Sequence, residues 1–354
     1  MTRDPLSGKI PVTLITGYLG SGKTTLLSRL LRDPGMNRAA VIINEFGAVG
    51  IDHELVQSST ETTLLASGCL CCAVRTDLQE TLRDLFARRR SGEVIDFDRV
   101  FIEASGLADP VPVLHTLRTD GLLGAHYRLD AVVTLVDAVN GMEQLDRAPE
   151  ASRQVAVADR IVVTKTDIAN AEGVTMLEDR LSRLNPYAQV ARATDGRLDP
   201  AFLRDVAPRS TRATGGELER WLNIDAADTR NSAPGADLRA TGSAYLGERI
   251  ARHDASVGSF CLWFDEPFAW DSLSGALQLL SALRGADLLR VKGLVNVEGE
   301  AGPVVVQGAQ HVFHPPVTLQ AWPSDDRRSR LVFIGRSLEP AAVEQLLKAA
   351  ARLQ

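Results

Sequence analysis

The chain has 354 residues, 45% of them hydrophobic, and a net charge of −6. That is enough apolar material for a sizeable core and more than one domain. The acidic balance argues against a nucleic-acid or anionic-membrane binder, since such proteins carry a basic surplus, and no stretch approaches the ~20 apolar residues of a membrane span.

The N-terminal apolar run is broken early by glycines, too short for a signal segment, so the cytoplasm is the expected location. Residues 11–16, "PVTLIT", read as a buried strand. "GYLGSGKTT" follows, then an amphipathic helix through "LLSRLLRD". "AAVIINE" (39–45) is a second strand, "FGAVGIDHELV" a glycine-broken loop, and "TLLASG" a short strand. A helix is expected over 75–90, with Leu78, Leu82, Leu85 and Phe86 on one face. Strands are expected at 99–106, 129–138, 159–167 and 188–194, with a helix at 174–185. Apolar strands alternating with amphipathic helices imply a mostly parallel sheet covered on both faces, whose ligands bind at the carboxyl ends of the strands.

Residues 208–257 are polar, with scattered glycines, and read as a linker or flexible insertion. Beyond them, strand-like segments and two helices make a smaller unit over 258–354. The expected class is therefore α/β, with a parallel-sheet domain over 1–207 and a C-terminal α+β domain.

Gly17 to Thr24 fits G-x-x-x-x-G-K-[ST] between a strand and a helix, the pattern of a phosphate-binding P-loop. Gly17, Gly20, Ser21 and Gly22 let the backbone wrap phosphates with its N–H groups turned inward. Lys23 is expected at the β- and γ-phosphates and Thr24 on Mg²⁺, with Thr25 beside them. Glu103 ends an apolar strand, where a Walker-B carboxylate would sit and hold Mg²⁺ directly or through water, and Gly106 follows where a backbone N–H can approach the γ-phosphate. In "IVVTKTD", Thr164, Lys165 and Asp167 stand at another strand end. A carboxylate can accept both the N1–H and N2–H₂ of guanine, a donor pair adenine lacks, and the Lys165 stem can cover the base. The usual guanine motif begins with Asn where this chain has Thr164. Five of the 39 basic residues are lysines, so Lys23 and Lys165 stand out.

"ASGCLCCAVRTD" packs Cys69, Cys71 and Cys72 into four positions. Three thiols this close can supply three ligands of a tetrahedral Zn²⁺ site; Co²⁺ also fits. Lacking two separated ligand pairs, the cluster looks open, which suits a metal that must leave. A redox switch and inert burial are the alternatives.

The phosphate loop, "NEFGAVGID", "GCLCC", "EASGLADP", "TKTD" and "RVKG…VFIGR", in this order, resemble the CobW-like family of P-loop GTPases, which includes nitrile hydratase activators and zinc-regulated metalloprotein activators. The resemblance spans nearly the whole chain and is weakest over 195–257. It implies a GTPase that binds GTP with Mg²⁺, holds zinc or cobalt at Cys69, Cys71 and Cys72, and delivers it to a client metalloprotein. GTPases of this wider class often dimerise, which admits a homodimer, but the sequence leaves the oligomeric state open. Three departures stand out: Ala48 where many relatives carry an acid, a single histidine, His253, in 208–257, and no client-docking motif in "MTRDPLSG". The scarcity of histidine argues against metal storage.

A redox-sensing P-loop regulator and a cobalt-inserting GTPase are the competing readings. His311 and His314 are read as structural or client-facing, Cys261 as a buried hydrophobe, and Trp322 and Phe333 as core.

Overall fold

The computed structural model describes residues 4, 6–45, 63–68, 74–223, 243–245 and 257–352. They fall into two compact units, one of Gly8–Leu181 with Ala188–Ala207, the other of Met1–Ser7, Ser182–Tyr187 and Pro208–Gln354.

In chain order the first unit carries β1 (Ile10–Gly17), α1 (Lys23–Leu30), β2 (Ala39–Glu45), β3 (Thr63–Gly68), α2 (Val74–Ser91), β4 (Arg99–Glu103), α3 (Val111–Thr119), α4 (Gly121–His126), β5 (Tyr127–Asp137), α5 (Gly141–Arg147), α6 (Pro149–Ala156), β6 (Arg160–Thr164), α7 (Ala171–Leu184) and β7 (Gln189–Arg192). The seven strands are all parallel, in the order β3-β2-β4-β1-β5-β6-β7. β1 is central and buried along nearly its whole length, which is why it reads as a continuous apolar run rather than an alternating one. β2 lies beyond β4 on one side of β1 and β5 lies on the other. The connections therefore diverge at β1 and open a crevice at the carboxyl ends of β1, β4 and β5.

Leu78, Leu82 and Leu85 bury the inner face of α2, while Phe86 is partly exposed and stacks on His126 with ring centroids 4.0 Å apart. The strand expected at 99–106 stops at Glu103, where the chain turns into the crevice. The short helices over 121–126 and 141–156 have no counterpart in the sequence reading. Each has only six to eight residues, too few for a helical period to stand out.

The second unit carries α8 (Gly215–Leu222), β8 (Ser243–Tyr245), β9 (Val257–Phe264), α9 (Trp270–Arg284), β10 (Leu288–Val295), β11 (Val304–Ala309), β12 (Val312–Phe313), β13 (Val317–Thr318), β14 (Ser329–Arg336) and α10 (Pro340–Arg352). Its antiparallel sheet runs β12-β11-β10-β14-β9-β8, with β13 on β11. One face of the sheet packs Phe260, Leu262, Leu331 and Phe333 against Leu273 and Leu277 of α9 and Val343 and Leu347 of α10. The linker read over 208–257 contains α8, because Leu218, Trp221 and Leu222 fall at helical spacing and are buried, and it contains the short strand β8. Lys292 of β10 places its ammonium 4.3 Å from the Trp221 ring centroid. Cys261 and Phe333 are buried as expected; Trp322 is only half-buried, because it lies on a loop off the sheet. His311 is exposed at the β11–β12 turn and His314 is part-buried.

Candidate nucleotide site

The loop after β1 turns through three glycines with positive φ, Gly17 at 143°, Gly20 at 73° and Gly22 at 87°. At Gly17 a Cβ would lie 2.4 Å from the Leu135 carbonyl oxygen, so no other residue fits there. Gly22 caps α1, and the Leu26 amide makes the first helical bond to its carbonyl at 2.9 Å. The opening amides of α1 have no intrahelical acceptor and lie at the loop, the arrangement that binds anions. Lys23 is nearly buried, with Nζ donating to the carbonyls of Gly17 at 2.8 Å and Tyr18 at 3.3 Å. Its ammonium is thus held inside the arc of the loop.

Thr24 Oγ1 donates to Glu103 Oε1 at 2.8 Å. Glu103 closes β4 in register with Ile15 of β1 and is 1% exposed. A hydroxyl and a carboxylate brought together at the mouth of a phosphate loop form a hard oxygen pair, the donor chemistry Mg²⁺ takes, so these residues fit that ion. Three residues on, a Cβ on Gly106 would meet the backbone of Leu19 at 2.8–2.9 Å, so the β4 loop and the phosphate loop touch main chain to main chain. Gln154 of α6 fixes the β4 loop from behind. Its Nε2 donates to the carbonyls of Gly106 at 3.1 Å and Ala108 at 3.2 Å.

Thr164 ends β6 and is buried, with Oγ1 donating to the Ser21 carbonyl at 2.8 Å. Lys165 adopts a left-handed φ of 58°, and its Nζ donates to Asp137 Oδ2 at 2.7 Å. Burial pushes the Asp137 carboxyl up, but bonds from Lys165, Asn140 and the Val139 amide outweigh it and hold the group below the usual carboxylate range. Asp167 Oδ1 accepts from the Asp195 amide at 3.1 Å, so the loop after β7 backs the carboxylate expected to read a base. Thr166 Oγ1 bonds the Ala193 carbonyl at 3.2 Å, tying the same two loops again.

Gly17, Gly20, Ser21, Gly22, Lys23, Thr24, Thr25, Glu103, Gly106, Thr164, Lys165 and Asp167 thus occupy one edge of one sheet. Sequence reasoning missed Asp137, Gln154 and Asp195. Asp137 carries the same signal as Glu103, an acid closing an apolar strand, and Asp195-Gly196 is a turn signal after the last strand. Nothing in the sequence marks Gln154.

Cys69, Cys71 and Cys72, and the loop from Phe46 to Asp52, lie outside the described residues. Their flanks are described: Gly68 ends β3 beside Glu45 of β2, at the carboxyl edge of the sheet, and α2 begins at Val74. Among the described residues no three His, Cys, Asp or Glu side chains converge on a metal position, and no helix is long and apolar enough to cross a membrane.

The sequence profile of the CobW/HypB/UreG nucleotide-binding domain matches residues 11–192, and that of the cobalamin synthesis protein cobW C-terminal domain matches 257–351. The chain belongs to the CobW family. It is 34% identical over 330 residues to the zinc chaperone YjiA of Escherichia coli (strain K12), covering 93% of this chain and 95% of that one. The zinc-regulated GTPase metalloprotein activator 1 of Saccharomyces cerevisiae is 28% identical over 389 residues, 96% of this chain and 83% of that one. A crystal structure of Zn(II)-bound YjiA GTPase from E. coli superposes with a TM-score of 0.68 at 28% identity, covering 97% of this chain and 99% of that one. This CobW-family chain therefore pairs a nucleotide-binding α/β domain with the family's C-terminal domain.

Proposed function

We propose that this protein is a GTP-hydrolysing metallochaperone that carries zinc at Cys69, Cys71 and Cys72 and releases it to a client metalloprotein. The observation that carries the reading is the Thr24–Glu103 contact at 2.8 Å, at the mouth of a glycine loop whose lysine is already turned inward. Names of relatives that align over more than nine-tenths of this chain, a zinc chaperone and a GTPase metalloprotein activator, support the same reading.

In this reading the loop amides and Lys23 hold the β- and γ-phosphates, and the Gly106 amide meets the γ-phosphate. Asp167 accepts the guanine donors. Thr24 and Glu103 would hold Mg²⁺, which when bound neutralises charge developing on the phosphate oxygens. Zinc is the cargo. Thiolates favour it and also accept Co²⁺, so cobalt is the second candidate cargo. The cysteines follow β3 and the γ-phosphate loop follows β4, two strands that flank β2 on the same sheet edge. Loss of the γ-phosphate would change one loop and, through it, the geometry of the other.

The test is hydrolysis of GTP against ATP by wild type and Cys71→Ala, with and without stoichiometric Zn²⁺ or Co²⁺, alongside Zn²⁺ affinity in the GDP and non-hydrolysable GTP states. The expected result is GTP-preferring turnover, zinc affinity that differs between the two states, and loss of zinc in Cys71→Ala. Equal zinc affinity in both states would remove the coupling. Turnover blind to metal and to the substitution would favour a regulator over a chaperone.

A further inference from the structure

We infer that Arg29 is a positioning residue for base recognition, acting through Asp195 on Asp167; this rests on Asp167 being the guanine reader. Arg29 lies in the last turn of α1, six residues after Lys23, and belongs to no predicted site. Its guanidinium forks onto the Asp195 carboxylate, with Nη2–Oδ1 and Nη1–Oδ2 both 2.8 Å. Two parallel bonds fix direction as well as distance. The amide of the same Asp195 donates to Asp167 Oδ1. One residue therefore connects the phosphate-loop helix to the base-reading carboxylate, by its side chain on one side and its main chain on the other.

The turn holding Asp195 needs such a restraint. Asp195 has φ 50° and Gly196 φ 66°, two left-handed residues in succession. Asp tolerates that region but does not prefer it. At Gly196 a Cβ would come within 3.1–3.2 Å of Arg29 Cδ and Nε and of Thr25 Cγ2, so the turn is seated directly on the opening of α1. The Arg29 fork neutralises the Asp195 carboxylate, which would otherwise add negative charge beside Asp167. The pair also borders a cavity of about 590 Å³ lined by Leu26, Leu30, Arg197 and Leu198. Truncating Arg29 enlarges an existing opening rather than hollowing a packed core. Asp195 is exposed, at 62%, and Arg29 is part-exposed, at 35%, so the pair's worth lies in geometry more than in global stability, and salt screens it.

The test measures steady-state hydrolysis of GTP, ATP and xanthosine triphosphate by full-length wild type, Arg29→Ala, Arg29→Lys, Asp195→Asn, the Arg29→Ala/Asp195→Asn double variant and Asp167→Asn. Arg29→Ala and Asp195→Asn are each expected to raise KM for GTP about fivefold with kcat within about twofold, and to narrow the GTP-over-ATP preference. The double variant is expected to match the singles, and Arg29→Lys to recover part of the loss. Raising salt from about 0.05 M to about 1 M is expected to raise KM more in wild type than in Arg29→Ala. Asp167→Asn serves as the control. Its amide can donate to the C2 oxygen of xanthine, so it is expected to gain xanthosine triphosphate turnover. If it does, while Arg29→Ala and Asp195→Asn keep wild-type KM and preference, Arg29 has no positioning role and the base reading stands. If Asp167→Asn gains nothing, the base reading fails and this inference falls with it.

Discussion

Thr164 and Ser21 are 143 positions apart, yet the Thr164 hydroxyl donates to the Ser21 carbonyl at 2.8 Å. The strand that presents Lys165 and Asp167 is thereby pinned to the loop expected to hold the phosphates. A single hydroxyl serves where the usual guanine motif has an amide. The second acceptor in reach, the Val136 carbonyl at 3.3 Å, belongs to the neighbouring strand β5.

Thr164→Val keeps the shape and removes the donor. The buried Ser21 carbonyl then loses this partner, at a cost of about 1–3 kcal/mol. The expected outcome is a lower Tm and a KM for GTP raised by about tenfold. Thr164→Ser, which retains the hydroxyl, should stay near wild type on both measures. Equal losses in the two variants would place the effect in packing instead.

Gly106→Ala forces a Cβ within 2.8 Å of the Leu19 amide nitrogen. The clash is main chain against main chain, so the loops must shift apart and the Gly106 amide moves with them. Turnover is expected to fall by about tenfold to a hundredfold, the usual loss for one misplaced donor. GDP affinity, measured by titration calorimetry, should stay within about twofold, because GDP has no γ-phosphate to miss. A parallel loss of GDP binding would point to general damage of the loop.

Glu103→Gln retains size and hydrogen-bonding capacity but removes charge from the Thr24 pair. The Mg²⁺ concentration giving half-maximal GTP hydrolysis is expected to rise by about tenfold or more. Saturating Mg²⁺ should recover most of the rate. An unchanged Mg²⁺ dependence would move the cation away from Glu103.

Asp137→Asn tests the anchor beneath Lys165. The Asp137 carboxyl is held below its ordinary value of 3.8 despite burial, so its charged form stabilises the fold. That contribution is fully present above the ordinary value and disappears as pH falls through the lowered one. Urea denaturation of wild type and Asp137→Asn should therefore show a constant gap from pH ~7 to pH ~5, closing as the medium becomes more acidic than 3.8. A gap independent of pH would mean the carboxylate charge contributes nothing.

Local spacing was enough to read the phosphate loop, the strand-end residues Glu103, Gly106, Thr164, Lys165 and Asp167, and the alternation that makes the sheet parallel. Each depends on neighbours within a few positions: glycines where φ must be positive, an apolar run before a polar turn, a period of 3.6. Short elements and polar partners were not legible in this way. The helices over 121–126 and 141–156 have too few turns to show a period. Gln154 is an ordinary polar residue until α6 brings it against the Gly106 and Ala108 carbonyls. The segment beyond Pro208 looked like a linker because polar residues dominate it, yet Leu218, Trp221 and Leu222 bury one helical face.

The sequence by itself determined which residue types stand at the carboxyl ends of the strands. Only the tertiary structure decided which of them meet. Thr24 and Glu103 are 79 positions apart, and Arg29 and Asp195 are 166 apart. Their contacts follow from the strand order around β1, which places distant strand ends side by side. No local pattern encodes that order, because it is selected by how helices and sheet bury their apolar faces together.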